Sequence, residues 1–104
     1  MSNVSSPLPA SLNEKFCQDI ALCGRSERTQ KSYRLVLQDF ERFCNVPADQ
    51  TDDTQVRSYV LHLVQDRKLK ASSLRVYTAG LKLLFTKTLR RPMPVLDIVR
   101  PKHD

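Results

Sequence analysis

From Thr29 to Phe43 the chain reads TQKSYRLVLQDFERF. Apolar side chains recur in this stretch at intervals of three and four residues, which is the period of an amphipathic α-helix that packs one face against a core. The positions on that face are Tyr33, Val36 or Leu37, Phe40 and Phe43. We therefore predict a helix that begins near residues 26–29 and ends before Asn45-Val46-Pro47.

Three further segments around this helix have the same period. The first opens with a capping box at residues 11–14 and stops at Gly24, a good C-terminal cap. Another follows the N-cap candidates at residues 51–53 and carries on its apolar face Val56, Tyr59, Val60, Leu63 and Val64. The last covers residues 71–91, where Gly80 predicts close helix packing. No stretch alternates between apolar and polar residues over the length of a strand. The sequence therefore predicts an all-α fold, a compact four-helix bundle with short connections.

The length of 104 residues allows a single small domain. We expect a flexible tail at residues 1–10, the four-helix domain at residues 11–91, and at residues 92–104 an extended segment that packs on the bundle or leads toward a further domain. No run of eighteen apolar residues predicts a membrane span. The N-terminus also lacks the basic start and apolar stretch of a secretory signal, so we expect a cytoplasmic location.

The three cysteines fit no common site. Cys17, Cys23 and Cys44 form no Cys-x-x-Cys pair, and their odd number does not make a disulfide framework. We interpret them as core thiols of a reducing compartment. A zinc site with His62 is the less favoured reading, because the spacing matches no established ligand pattern. We expect no metal and no cofactor.

The charge is uneven along the chain. Its net value is +6, but residues 1–54 carry six basic and eight acidic side chains, whereas residues 55–104 carry eleven and three. From Arg67 to Arg91 there are eight cations and no carboxylate. Such self-repulsion costs stability unless the partner is a polyanion. The alternative is a solvated basic face that only keeps the protein soluble.

The cations fall on predicted helix faces. Arg75 and Lys82 are seven residues apart and share one side of the last helix, opposite its apolar stripe. Hydroxyls and amides at the start of that helix suit a phosphate. The predicted DNA contacts are Thr29, Lys31, Arg34, Ser72, Ser73, Arg75 and Lys82, with Arg28, Lys70 and Lys87 at the rim.

Support for catalysis by this chain is poor. There is no Gly-rich phosphate loop, no metal-ligand cluster and no nucleophile turn with a plausible triad order. We interpret His62 as a surface or boundary residue, because no paired acid is identifiable. Tyr33, Tyr59 and Tyr77 lie on apolar stripes, which favours core anchoring with the phenol at the core edge. We predict no catalytic residue.

Several segments resemble one family in the same order. The helix with Thr29, Tyr33, Phe40 and Phe43 resembles the Thr-x3-Tyr-x6-Phe-x2-Phe helix in the N-terminal, SAM-like core-binding domain of tyrosine recombinases, the lambda-integrase superfamily. Residues 53–60 resemble its third helix, and residues 69–85 its fourth. The closing Arg100-Pro101-Lys102 is similar to the link that precedes the catalytic domain.

The resemblance implies a DNA-binding module of a site-specific recombinase or integrase. Its second and fourth helices would clamp the core recombination site in double-stranded DNA, and its first helix could touch a neighbouring protomer. The catalytic residues of the family lie in a C-terminal domain, so we expect this chain not to cut DNA. The implied setting is the cytoplasm of a bacterium, at the nucleoid, for a bacterial or phage protein.

Two other functions stay open on the residues alone. One is a helical protein-interaction module whose partner is acidic. The other is a stand-alone helix-turn-helix regulator, because the join from Arg67 to Ala71 is short enough for that motif, although it has no glycine.

Overall fold

The computed structural model of the chain describes residues 12–98. Within this range every regular element is helical, which confirms the predicted all-α class. Four long helices form a bundle, and a short fifth helix follows them. The elements are α1 Leu12–Leu22, α2 Glu27–Cys44, a 3₁₀ turn Ala48–Gln50, α3 Asp53–Leu61 with a π-helical turn His62–Asp66, α4 Ala71–Leu83 with a π-helical turn Leu84–Thr88, and α5 Val95–Ile98.

Both ends of α2 lie where the sequence predicts them. The Ser26 hydroxyl accepts a hydrogen bond from the Thr29 amide at 3.2 Å, so it caps the helix N-terminus. Asn45 has a φ of 60°, and its amide donates to the Glu41 carbonyl at 2.7 Å. Asparagine tolerates this left-handed conformation better than most residues, so the helix ends there.

The ends of α1 and α3 follow local rules as well. Gly24 has a φ of 77°, and the Arg25 amide reaches back to the Ile20 carbonyl at 3.3 Å, as in a Schellman motif. At α3 the Asp52 carboxylate accepts from the Gln55 amide while the Gln55 side chain accepts from the Asp52 amide, which makes a full capping box. The capping box predicted at Ser11 lies outside the described residues.

The centre of the core is the Phe40 ring. It packs edge-on against Tyr59 and Phe85, with ring centroids 5.0 and 6.0 Å apart. Helices α2 and α4 approach closely because α4 has no side chain at Gly80, where an added Cβ would lie 3.2 Å from the Tyr33 ring. This confirms the close packing predicted for that glycine.

Two predicted core positions are wrong. Phe43 is 41% exposed, because it stands at the C-terminal end of α2, where its ring covers His62 and one edge of Tyr59. Val64 is 45% exposed, because the π-helical turn at the end of α3 takes more residues per turn and rotates it away from the core while Leu63 stays buried.

The described part of the segment after α4 packs on the bundle, which is one of the two outcomes predicted for it, but part of it is helical rather than extended. Met93 and Leu96 are buried, and α5 Val95–Ile98 forms one helical turn that packs on α3 and α4. The aliphatic residues of this stretch bury apolar area, which favours packing over a solvated strand. The ordered domain therefore extends past the predicted boundary at residue 91, at least to Ile98.

The cysteines fit the predicted core thiols only in part, because Cys44 packs against the core from a partly buried position. Cys23 is exposed just after α1, and Cys17 and Cys44 are only partly buried. Burial, followed by the charges of Asp52 and Glu41, raises the pKa of the Cys44 thiol. Among residues 12–98, no three His, Cys, Asp or Glu side chains are grouped so that they could hold a metal ion.

Within the same range none of the helices combines the length and the apolar character that crossing a membrane requires.

Candidate nucleic-acid interface

Helices α2 and α4 form a shallow groove where their surfaces meet. The groove has a volume of about 210 Å³ and is open to solvent. Its lining consists of Ser32, Leu35 and Val36 from α2 and Ser73, Val76 and Tyr77 from α4. We call this feature the α2–α4 groove. Two of its apolar side chains are solvent-exposed, Leu35 at 64% and Val76 at 38%.

The predicted contact residues are almost all accessible. Thr29 and Ser73 are half-buried. The exposed ones are Arg28, Lys31, Arg34, Lys70, Ser72, Arg75, Lys82 and Lys87. The Thr29 hydroxyl also accepts a hydrogen bond from Ser26 at 3.1 Å, so this residue helps to cap α2 whatever else it contacts.

Some of these residues border the α2–α4 groove. Ser73 lines it directly. Arg28 and Lys31 precede Leu35 by seven and four residues and therefore lie on the same side of α2. Ser72 stands four residues before Val76 on α4. The structure thus brings residues from both helices together along one seam.

Three other predicted contacts lie on the outer flanks of the helix pair. At about 100° per residue, Arg34 is turned by about 160° around α2 from Val36, and Arg75 by about 160° around α4 from Ser73. Lys82 lies on the same flank as Arg75, and the apolar stripe of α4 opposite that flank is buried. The cations therefore flank the groove on two sides rather than line it.

The N-terminus of α4 lacks the side-chain cap that α2 and α3 have. Its N-cap residue is Lys70, whose side chain makes no capping hydrogen bond. The positive end of the helix dipole and the Lys70 ammonium group therefore reinforce each other at this end. Such an end favours an anion, because backbone amides point outward there.

Arg67 and Arg91 of the cationic cluster make contacts within the fold. Arg67 donates to Asp39 at 2.7 Å and to the Tyr77 hydroxyl at 3.2 Å, with its guanidinium 5.4 Å above the Tyr77 ring. Arg91 donates to the carbonyls of Asp49 and Thr51 and stacks over Phe85. All members of the cluster except the half-buried Arg91 are exposed, namely Arg67, Lys68, Lys70, Arg75, Lys82, Lys87 and Arg90.

A second hollow lies at the far end of α4. It has a volume of about 500 Å³ and includes Lys87, Arg90 and Arg91 in its lining. Lys87 was predicted as a rim contact, and the structure places it here rather than at the α2–α4 groove. The run Thr-Lys-Thr-Leu-Arg-Arg at residues 86–91 signals a basic helix end, but its concave shape depends on the turn at Arg90, whose φ is 52°.

The tyrosines are anchors, as predicted. Tyr33 and Tyr59 are buried, and Tyr77 is half-buried against the core. The Tyr59 hydroxyl donates to Asp39 at 2.6 Å. Burial, together with that hydrogen bond and the carboxylate charge, raises the pKa of Tyr59 far above its ordinary range.

His62 has an acidic neighbour that the sequence analysis missed. Its Nδ1 lies 3.0 Å from the Asp66 carboxylate one turn later, and its ring stacks on Phe43 with centroids 4.9 Å apart. The spacing of four residues on one helix face is the signal that could have revealed this pair. Asp66 is largely exposed, so the pair sits at the surface, where the sequence placed His62.

Comparison with known proteins gives one family. Residues 12–95 match the family described as "Phage integrase, N-terminal SAM-like domain". The chain is also 28% identical over 90 residues to a protein of Sinorhizobium fredii named "Putative integrase/recombinase y4qK". That match covers 84% of this chain and 29% of the relative, so the chain spans less than a third of its length. No solved structure matches the chain significantly.

Proposed function

Since the chain belongs to the family of N-terminal SAM-like domains of phage integrases, we propose that it is the DNA-binding module of a site-specific tyrosine recombinase. Its ligand is double-stranded DNA at the core recombination site. The surface that binds is formed by α2 and α4, with the α2–α4 groove at its centre.

The observation that carries this proposal is the charge arrangement on α4. An uncapped helix N-terminus next to Lys70 leads into a segment without carboxylates, with Arg75 and Lys82 on its outer flank. Amides at a helix N-terminus and flexible cations are the groups that bind backbone phosphates and fix the register of a protein on a duplex. Lys31 and Arg34 supply the matching cations on α2.

The chain acts as one part of the recombinase. In this proposal the nucleophilic tyrosine and its helpers belong to a separate C-terminal catalytic domain, and the present module has no catalytic role. The two domains close around opposite faces of the duplex in the cytoplasm, at the nucleoid. Helix α1 is the contact to a neighbouring protomer.

The experiment measures binding of a labelled 24-base-pair duplex by fluorescence anisotropy at several salt concentrations. If about five phosphates are contacted, log K falls against log salt with a slope of about −4.5. Lys31→Glu/Arg75→Glu should weaken binding strongly and flatten this slope. The control is Lys15→Glu/Arg57→Glu, which changes the net charge equally on exposed positions of α1 and α3.

Equal binding by the two double variants would remove the proposed surface. An affinity that does not depend on salt would remove the proposed mechanism.

The alternatives predict other results. A module for an acidic protein partner would show no salt-dependent affinity for a duplex. A helix-turn-helix regulator, with the short connection at residues 67–70 as its turn, would place α4 in the major groove and α3 across the DNA backbone. In that case variants on α2 would leave binding unchanged.

A further inference from the structure

The exposed apolar side chains of the α2–α4 groove have no role in phosphate binding. Leu35 and Val76 lie on opposite walls of the groove, beside the hydroxyls of Ser32 and Ser73. They are apolar groups at the centre of a surface that is otherwise polar and basic. Covering them removes apolar area from water, so an apolar group of the ligand is favoured at this place.

The size of the groove limits what can cover it. Its volume of about 210 Å³ is below the range of about 300 to 1,000 Å³ that small-molecule pockets occupy. A partner helix would need a longer row of apolar anchors than two side chains offer. The occupant is therefore a small apolar group on a larger ligand.

The charges around the groove indicate what that larger ligand is. Arg28 and Lys31 stand on the Leu35 side, and Lys70 stands at the start of α4. These cations complement a polyanion. In the major groove of a DNA duplex, the apolar group that a protein can reach is the C5-methyl of thymine, and the serine hydroxyls suit the polar edges of the neighbouring bases.

We propose that Leu35 and Val76 contact thymine C5-methyl groups in the major groove and thereby give the module a preference for thymine. This inference rests on the proposed function, because it requires that α2 and α4 face the duplex. Within that function it assigns sequence preference to two apolar side chains, whereas the cations supply sequence-independent affinity.

The test compares duplexes that differ only in methyl groups. The 104-residue chain is titrated with a 24-base-pair alternating d(AT) duplex and with the same duplex containing deoxyuridine in place of thymidine. Loss of each buried methyl should weaken binding about fourfold. A d(GC) duplex should gain a similar factor when its cytosines carry a C5-methyl, which occupies the same place in the major groove.

Two variants connect that difference to the groove. Leu35→Ala/Val76→Ala should bind the thymine and uracil duplexes equally. The control Leu61→Ala removes a leucine that is 43% exposed at the end of α3 and should keep the discrimination of the unmodified chain. Both variants change exposed side chains, so the core stays intact, and circular dichroism at 222 nm verifies the fold.

The outcomes separate the two proposals. Equal, salt-dependent binding of thymine and uracil duplexes by the unmodified chain overturns the groove proposal and leaves the proposed function standing. Discrimination that persists in Leu35→Ala/Val76→Ala also overturns it. If neither duplex binds, the proposed function and this inference both fail. Methyl resonances of Leu35 and Val76 that shift with protein concentration in the absence of DNA would assign the groove to a contact between two copies.

Discussion

Replacing Asp39 with alanine should destabilise the protein by about 1 to 4 kcal/mol. Its carboxylate accepts from the Tyr59 hydroxyl at 2.6 Å and from the Arg67 guanidinium at 2.7 Å. The Tyr59 side chain is fully buried, so removal of its acceptor leaves a buried hydroxyl unsatisfied, at a cost of about 1 to 3 kcal/mol. The pair with Arg67 is partly exposed and contributes at most about 1 kcal/mol.

The assay is a double-mutant cycle measured by urea unfolding. Tyr59→Phe removes the same hydrogen bond without leaving an unsatisfied group and should cost about 1 to 2 kcal/mol. In the Tyr59→Phe background, Asp39→Ala should cost only the Arg67 contact, so the coupling energy equals the cost of the unsatisfied Tyr59 hydroxyl, about 1 to 3 kcal/mol. The control Asp66→Ala breaks an exposed pair and should cost less than about 0.5 kcal/mol. Strict additivity of Asp39→Ala and Tyr59→Phe would refute the reasoning.

Three further predictions concern single residues. Lys68→Gly should raise the free energy of unfolding by about 1 kcal/mol, because Lys68 has a φ of 50°, a left-handed conformation that glycine adopts without strain. Lys68→Ala should give no such gain. If both substitutions changed the free energy of unfolding equally, the backbone conformation would not be the cause. Lys70→Ser should stabilise α4 by about 1 kcal/mol, because the serine hydroxyl supplies the missing N-cap. It should also make the slope of log K against log salt for DNA binding less negative by about 0.9, because one cation is lost. Unchanged DNA binding would remove Lys70 from the interface. Because the pKa of Tyr59 is raised in the folded protein, the folded chain keeps a proton that the unfolded chain releases above about pH 10. The free energy of unfolding should therefore fall above that pH, by up to about 1.4 kcal/mol per pH unit. Alkaline urea titrations should show a smaller fall for Tyr59→Phe, and parallel curves would contradict the assignment.

Local chemistry made most of the fold predictable. The caps at Ser26, Gly24 and Asp52 depend on residues within one turn, so their sequence signals are sufficient. The apolar period placed Tyr33, Leu37 and Phe40 correctly, because a straight helix presents the same face along its length. Val64 was misplaced where a π-helical turn changes that period.

Contacts between distant residues were not predictable in the same way. Arg67 was counted only as one of the eight clustered cations, but its partner Asp39 lies 28 residues earlier, and nothing in either local sequence links them. The burial of Leu96 likewise depends on which helices happen to leave apolar surface for α5.

The candidate site was predictable in its charges and less so in its shape. Residues 35–37 are three consecutive aliphatic residues. The buried face of a helix takes only two of three consecutive residues, so one of them had to face outward. Only the packing of α2 on α4 shows that Leu35 does so, and that Val76 stands across from it.

The proposed function requires that one surface of α2 and α4 bind duplex DNA. A ¹⁵N–¹H correlation spectrum of the labelled chain, recorded during titration with a 24-base-pair duplex at low salt, locates that surface residue by residue. We expect the largest shift changes on the amides of Lys31, Ser72 and Ser73, and these changes should diminish as salt is added. Changes centred on α1 or α3 instead, or no change at all, would contradict the proposed function.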